Sequence, residues 1–525
     1  MDLEVFQHLN GQLHSLGTLS PGCLLSGLVE QGSYWIKAPA TGACLFIDDA
    51  PIAMDAQGQY WRWSPGFFAG EVLMELVLAG HFLPLRYRLD VSAASHKSGR
   101  EQYLEYIGVI ADTAPQLLLG TEPGQHGLGG SSAPTKLAHW LGYARLRCFI
   151  DAYLNGLHAV CERPLVRNRH HREQMPIHLA RQVDVRTVRR LEANPNLLAA
   201  VARQLEVAEQ RLDDNRLDVP FNEPTLDHPA NRLLASQLQG VIRLVRQLRE
   251  AFSAAGHNTS ETETDIEARL GRRLEYLAAV EKSLLRLARR DPFAAITKTE
   301  AGVAALNAVS GSPHYASSHR VGLRLLRKGI ASLANDEQHY LAPTWQVYEA
   351  WCFVALGEQI QSLLPEYAWC RKDVVSWADM LLEGVKEDKR IRFYFQLGCP
   401  ALETENSHGY TSISRERRPD MVLEYVNGDQ AQFICLDSKY TASRTGLLDS
   451  MASAHIYKDS IRRKGIAPRF ALLLAPQNLH APALSCDGYI GRNSVGCLPM
   501  ASSQQAEIVA KWLWQELQGC APGCQ

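Results

Sequence analysis

At 525 residues the chain is too long for one ordinary domain, and three are expected. Hydrophobic residues make up 46%, enough for real cores, while a formal charge of −2 excludes a uniformly basic nucleic-acid coat; any such contact must come from local patches. No apolar run reaches the roughly 18 residues of a membrane span. The start MDLEVFQHLNGQ lacks the basic stretch and apolar core of a signal peptide, so a cytoplasmic protein is expected. The 12 cysteines are scattered, several inside apolar runs (Cys148, Cys352, Cys435), a pattern that suits reduced, buried thiols. Cys520 and Cys524 form a lone pair without the second pair that a zinc site needs.

Residues 1–135 read as a β-rich domain. Ala43 to Ile47 is an apolar run, Tyr60, Trp61 and Trp63 follow a turn at Asp55-Ala56-Gln57-Gly58, and Leu85, Tyr87, Leu89 and Val91 alternate with polar residues. The aromatic cluster Tyr60, Trp61, Trp63, Phe67 and Phe68 suits a core with hairpin packing better than a ligand surface. A helix is expected over 98–112. The glycine-rich segment 120–132 lacks the Gly-Lys-Ser/Thr that cradles phosphates, and that triplet occurs nowhere in the chain, so hydrolysis of a nucleoside triphosphate through a phosphate loop is not expected.

Residues 136–335 read as a helical middle. Leu146, Phe149, Ile150, Tyr153, Leu154 and Leu157 share one helical face. The densest positive run follows, Arg163, Arg167, Arg169, His170, His171 and Arg172, either a contact for nucleic acid or an acidic partner, or a solvated helix approach. His171 and His178 lack further ligands for a metal. Three long helices come next, with faces Leu198 to Leu212, Leu234 to Phe252, and Ile266 to Leu287, the last interrupted by Arg273. The second and third form a helical hairpin turning within 253–264.

Residues 336–525 carry the chemistry. A helical face runs from Tyr348 to Ile360, and Ile391, Phe393, Phe395 and Leu397 alternate as a strand. In RERRPDMVLEYVNGDQAQFICLDSKY, Met421 to Val426 reads as a strand, Asn427-Gly428-Asp429 as a turn, and Phe433 to Leu436 as the buried return strand. This hairpin brings Asp420 near Asp437, 17 positions later. Two carboxylates so placed can hold a hard divalent cation. Lys439, two residues beyond Asp437, leaves the same face of the strand, where it can position water or stabilise charge on a phosphate. A helix with His455, Tyr457, Lys458 and Asp459, a buried strand Phe470 to Leu474, and a helix Gln504 to Leu517 complete the domain.

Asp420, Asp437 and Lys439 match the signature of the PD-(D/E)xK nuclease superfamily, which this segment resembles. The β-rich start, long helices, Tyr-Glu-x-Trp helix and Tyr-Lys-Asp helix together look like the McrC-like proteins. The resemblance implies a multidomain α+β chain ending in an α/β restriction-endonuclease-like domain. It also implies that Glu349 on the first core helix completes the metal site, with Glu358 the weaker alternative. Glu349, Asp420 and Asp437 would then hold Mg²⁺, with Mn²⁺ a substitute and the Ser438 carbonyl a further candidate ligand. Tyr457 and Lys458 would contact phosphate, unless Tyr457 is a packing residue. The implied function is a DNA endonuclease subunit of a restriction or anti-phage system, working with a separate McrB-like AAA+ NTPase; the longer helical middle departs from the shorter McrC proteins. A catalytically silent DNA-binding adaptor and an RNA-cutting nuclease of the same fold are the alternatives.

Overall fold

The computed structural model describes residues 1–39, 42–79, 84–120, 125–127, 138–176, 179–180, 182–206, 216–255, 264–296, 303–327, 338–372, 380–402, 404–428, 430–477 and 481–519. His178, Asp429, Cys520, Cys524 and most of the glycine-rich segment 120–132 lie outside them. The protein is mixed α/β with several sheets, and it divides into two compact units. One comprises Met1–Cys148, Ala251–Leu274 and Lys328–Gln525; the other comprises Phe149–Glu250 and Glu275–Arg327.

In the first unit, the N-terminal residues form two sheets. Strands Gln12–Leu19, Leu3–Leu9, Tyr34–Lys37 and Tyr60–Trp63 lie side by side in that order. The second sheet is centred on Gly70–Val77, which pairs antiparallel with both Cys44–Ile47 and Leu85–Ser92. The alternation expected for the last strand holds, with Tyr87, Leu89 and Val91 buried. Trp61 and Phe68 are core residues, whereas Phe67 is 45% exposed.

A two-residue turn, Asp48-Asp49, links Cys44–Ile47 to Ala50–Pro51. Both aspartates hold left-handed backbone (φ 45° and 66°), a conformation Asp tolerates better than most residues. Both are also buried, so their charges need partners. Arg273, the residue that interrupts the apolar face of its helix Thr264–Ala288, supplies them. It is fully buried, with Nη2 at 2.8 Å from Asp48 and Nε at 3.3 Å from Asp49. Tyr340 donates to Asp48 and Tyr143 to Asp49.

The C-terminal part of this unit is built on a seven-stranded sheet. Its strands are β1 (Ala368–Lys372), β2 (Met380–Lys386), β3 (Lys389–Phe395), β4 (Met421–Asn427), β5 (Gln430–Ser438), β6 (Phe470–Ala475) and β7 (Val495–Pro499), in that spatial order. The first five pair antiparallel; β6 and β7 add on parallel to β5. Alternation sends residues to two faces. Phe393, Phe395, Met421, Leu423, Leu436 and Leu472 pack with helix α1 (Thr344–Leu363) and helix α3 (Ser503–Gln518). Tyr394, Val422, Phe433, Cys435 and Leu473 pack with helix α2 (Arg444–Ser460). Helix α1 is apolar nearly all round, as a helix at the centre of a fold must be. The N-terminal helix Gly99–Thr113 joins the same core through Tyr106, whose ring centroid lies 4.2 Å from that of Trp351.

A buried polar chain further ties the N-terminal sheets to this domain. Glu30 accepts from Thr344, the first residue of α1, at 2.6 Å, and pairs with Lys97 at 3.4 Å. The Lys97 ammonium lies 4.8 Å from the Tyr440 ring centroid, and the Tyr440 hydroxyl is 2.6 Å from Ser98 Oγ.

Three expectations change, two in the second unit and one in the first. The basic run is not a helix approach: Arg167–Pro176 is a largely exposed strand, paired over its whole length with Arg216–Thr225, whose Leu217 and Val219 are buried. Its partner strand is remote in sequence, so no local pattern announces it. Of the first long helix, Pro195–Glu206 lies within the described residues, and Leu198 on its expected apolar face is 49% exposed. Cys148, in the first unit's share of helix Ala138–Glu162, is exposed because it lies off the buried face of Leu146, Ile150, Tyr153 and Leu157. The expected pairing of the other two helices, Pro229–Ala255 and Thr264–Ala288, is present, with Arg246 and Arg249 of one both bound to Glu281 of the other, at 2.7 and 2.6 Å.

Removing Arg273 takes from two buried carboxylates the cation they share, leaving Arg269 beside Asp48 and Arg147 and Arg272 beside Asp49. Arg273→Ala is expected to cost about 3–5 kcal/mol of stability, the usual range for breaking one side of a buried ion pair, read as a lower urea midpoint in equilibrium unfolding.

Candidate functional site

The site is assembled where neighbouring strands end. The register Met421↔Leu436 sets Asp420, one residue before β4, opposite Asp437 near the end of β5. The register Phe395↔Met421 sets Gln396, one residue after β3, beside Asp420, and the Gln396 N–H donates to the Asp420 carbonyl at 2.7 Å. The turn at Gly428 (φ 58°) fixes that register by closing Asn427 against Gln430.

The structure brings Asp437 and Lys439 into direct contact, with Lys439 Nζ 2.6 Å from Asp437 Oδ2. Ser453, on α2, donates to the same carboxylate at 2.6 Å. Asp420 Oδ2 accepts from the Ser438 N–H at 2.7 Å. Glu349 is the one charged side chain among the buried residues of α1, and its carboxylate accepts from the Gln396 amide. Glu358 is nine positions on, half a turn round the helix; it is exposed and bonded to Thr113 at 2.6 Å, away from the cluster.

Electrostatics joins these groups. Burial pushes the Glu349 carboxyl up to about 7; the Gln396 hydrogen bond opposes the rise and the Asp437 charge adds to it. Asp420 is held well above the usual carboxylate range, first by burial, then by Asp437 and Glu349. Burial lowers the Lys439 ammonium pKa, but Asp437 and Asp420 more than offset this, so the net shift is upward and the amine stays protonated. In this arrangement Lys439 is a donor and a positive charge rather than a base.

The two proposed phosphate contacts are engaged elsewhere. The Tyr457 hydroxyl donates to the Arg418 carbonyl at 3.2 Å, and its pKa is raised by burial and then by the charges of Asp437 and Asp420. Lys458 turns away: Nζ donates to the carbonyls of Pro468 at 2.5 Å and Arg469 at 3.2 Å.

Among the described residues, no group of three or more His, Cys, Asp and Glu side chains is gathered closely enough to hold a metal ion. Each carboxyl instead meets a donor of the protein itself: Gln396, the Ser438 N–H, or Lys439 with Ser453. The donor chemistry still fits a hard divalent cation. Glu349 and Asp437 are only 4% and 2% exposed, and Glu349 and Asp420 resist ionisation first because they are buried and then because other carboxylates lie nearby.

Sequence reasoning passed over Gln396 and Ser453. Gln396 reads there only as an outward residue of an alternating strand, and Ser453 as one small residue of a helix. Only the tertiary pairing puts them against acids.

A family model described as "Domain of unknown function (DUF2357)" matches residues 100–306. No curated protein matches the chain. A solved structure, the refined half-complex from a tetradecameric assembly of Thermococcus gammatolerans McrB AAA+ hexamers with bound McrC, is similar at 10% identity and a TM-score of 0.24, covering 88% of this chain and 85% of that chain. At that score no common fold follows. Among the described residues, no helix is long and apolar enough to cross a membrane.

The raised Glu349 pKa carries a stability consequence. Unfolded, a glutamate ionises near its ordinary value of 4.5; folded, this one holds its proton to about 7. Stability attributable to this group is therefore intact below the unfolded value and is lost as pH rises through the folded one. Glu349→Gln is expected to raise Tm by a few degrees at pH 8 and to leave it little changed at pH 5, measured by differential scanning fluorimetry.

Proposed function

We propose that this protein is a divalent-cation-dependent DNA endonuclease subunit of the PD-(D/E)xK kind, acting with a separate McrB-like AAA+ NTPase in a restriction or anti-phage system. The observation that carries the reading is the cluster at the strand ends: Asp420 opposite Asp437, Lys439 in contact with Asp437, and the buried acid Glu349 within electrostatic range of all three. Structural ion pairs are usually balanced; this group has acids in excess and leaves them costly to ionise.

Glu349, Asp420 and Asp437 would hold Mg²⁺, for which Mn²⁺ would substitute. When bound, such a cation supplies positive charge to a phosphodiester and activates water for attack on it. Lys439 keeps its proton and offers an N–H donor to the charge that develops on the phosphate oxygens. Ser453 and the Ser438 N–H hold Asp437 and Asp420 in fixed orientations, so less reorganisation accompanies the reaction. The Tyr457 hydroxyl, fastened to the chain at Arg418 just before Pro419-Asp420, braces α2 against the segment that delivers Asp420.

The AAA+ partner is what the resemblance to the McrC-like proteins implies, a resemblance carried by the layout of β-rich start, long helices and nuclease-like end; the lack of a Gly-Lys-Ser/Thr phosphate loop in the sequence agrees with it. The near-neutral charge fits the same division of labour, since phosphate contacts alone would hold DNA weakly and let go steeply with salt.

Purified full-length protein, incubated with DNA and RNA side by side, is expected to cut DNA only when Mg²⁺ or Mn²⁺ is present. The rate is expected to rise on adding an McrB-like AAA+ NTPase with its nucleotide. Asp437→Ala and Lys439→Ala are expected to lower cleavage at least about a hundredfold, the scale of losing a transition-state charge donor, while far-UV circular dichroism is unchanged. Cleavage of RNA alone would move the assignment to the RNA-cutting reading; retained cleavage by Asp437→Ala would overturn the site.

A further inference from the structure

Gln396 sits at the junction of the three segments that carry the acids. Its backbone is left-handed (φ 56°), a conformation that residues other than Gly, Asn and Asp seldom hold. Both of its backbone polar groups are used: the N–H donates to the Asp420 carbonyl at 2.7 Å, and the carbonyl accepts from Arg418 Nε at 2.9 Å. Its side-chain amide donates to Glu349. One residue thus holds the strand that precedes the hairpin, the segment that delivers Asp420, and the helix that delivers Glu349.

Glycine would meet the backbone requirement at no steric cost. A long amide at such a position is retained strain with a use, and the use visible here is the hold on Glu349. The left-handed turn swings the chain out of β3 and aims the amide at α1; an extended residue there would continue the strand and point elsewhere.

We propose that Gln396 is a positioning residue of the cation site, orienting Glu349 toward Asp420 and Asp437. This rests on the nuclease reading above. Partners that orient metal ligands in this way commonly account for 10- to 100-fold in affinity, on the order of what is expected here.

The test is Mn²⁺ binding by isothermal titration calorimetry on the full-length protein, with Tm measured alongside. Gln396→Gly relieves the backbone and deletes the amide. It is expected to keep or raise Tm while weakening Mn²⁺ binding about tenfold. Gln396→Asn also accepts left-handed backbone and keeps a shorter amide; it is expected to recover part of the loss. Equal Mn²⁺ affinity in wild type and Gln396→Gly overturns the positioning role and leaves the nuclease reading standing. A large loss of Tm in Gln396→Gly, with no recovery of binding in Gln396→Asn, makes the residue structural and also overturns it. A wild-type protein that binds no Mn²⁺ overturns both.

Discussion

Three carboxyl groups and the Lys439 ammonium lie within electrostatic reach of one another, largely out of water, where neighbouring strands of one sheet end. Everything around them answers that constraint. Like charges in a poorly solvated place repel, so Glu349 and Asp420 resist ionisation. The protein meets part of the deficit with neutral donors, the Gln396 amide, the Ser438 N–H and the Ser453 hydroxyl, and with the positive charges of Lys439 and Arg418. The remainder is what a divalent cation would neutralise.

Holding such a group in place calls for rigid surroundings, and the fold supplies them from both sides of the sheet. Helix α1 is buried nearly all round and is fastened at its start by the Thr344–Glu30 hydrogen bond. Tyr440, next to Lys439, packs under Lys97 and bonds Ser98. The N-terminal sheets and the candidate site thereby belong to the same compact unit. A truncation that removes residues 1–120 would strip Tyr106, Ile107 and Leu118 from the core that surrounds α1. Experiments on this chain are accordingly best done with its full length.

Much of the C-terminal architecture is legible in the sequence because its signals are local. Alternation marks β3, the Asn427-Gly428 turn marks the hairpin, and the unbroken apolar runs mark β5 and β6. Asp420, Asp437 and Lys439 are legible as a group for the same reason: a hairpin register follows from its turn. Other features have no local signal. The ribbon of Arg167–Pro176 with Arg216–Thr225 joins strands some 40 or more positions apart, and its exposed, charged composition reads like a solvated surface. Arg273 reads as a flaw in an apolar helix face until the buried Asp48-Asp49 turn is seen opposite it. Gln396 reads as one outward residue in a strand, because left-handed backbone at a glutamine leaves no trace in composition or period.

On the proposed reading, Glu349, Asp420 and Asp437 together receive one or two divalent cations. Crystals of the full-length protein soaked in Mn²⁺, with diffraction collected at the manganese absorption edge, test it most directly. An anomalous difference peak within coordinating distance of these carboxyls, about 2.0–2.3 Å from their oxygens, is the predicted result. Saturating Mn²⁺ with no peak there, or with peaks only on surface carboxylates, would contradict it.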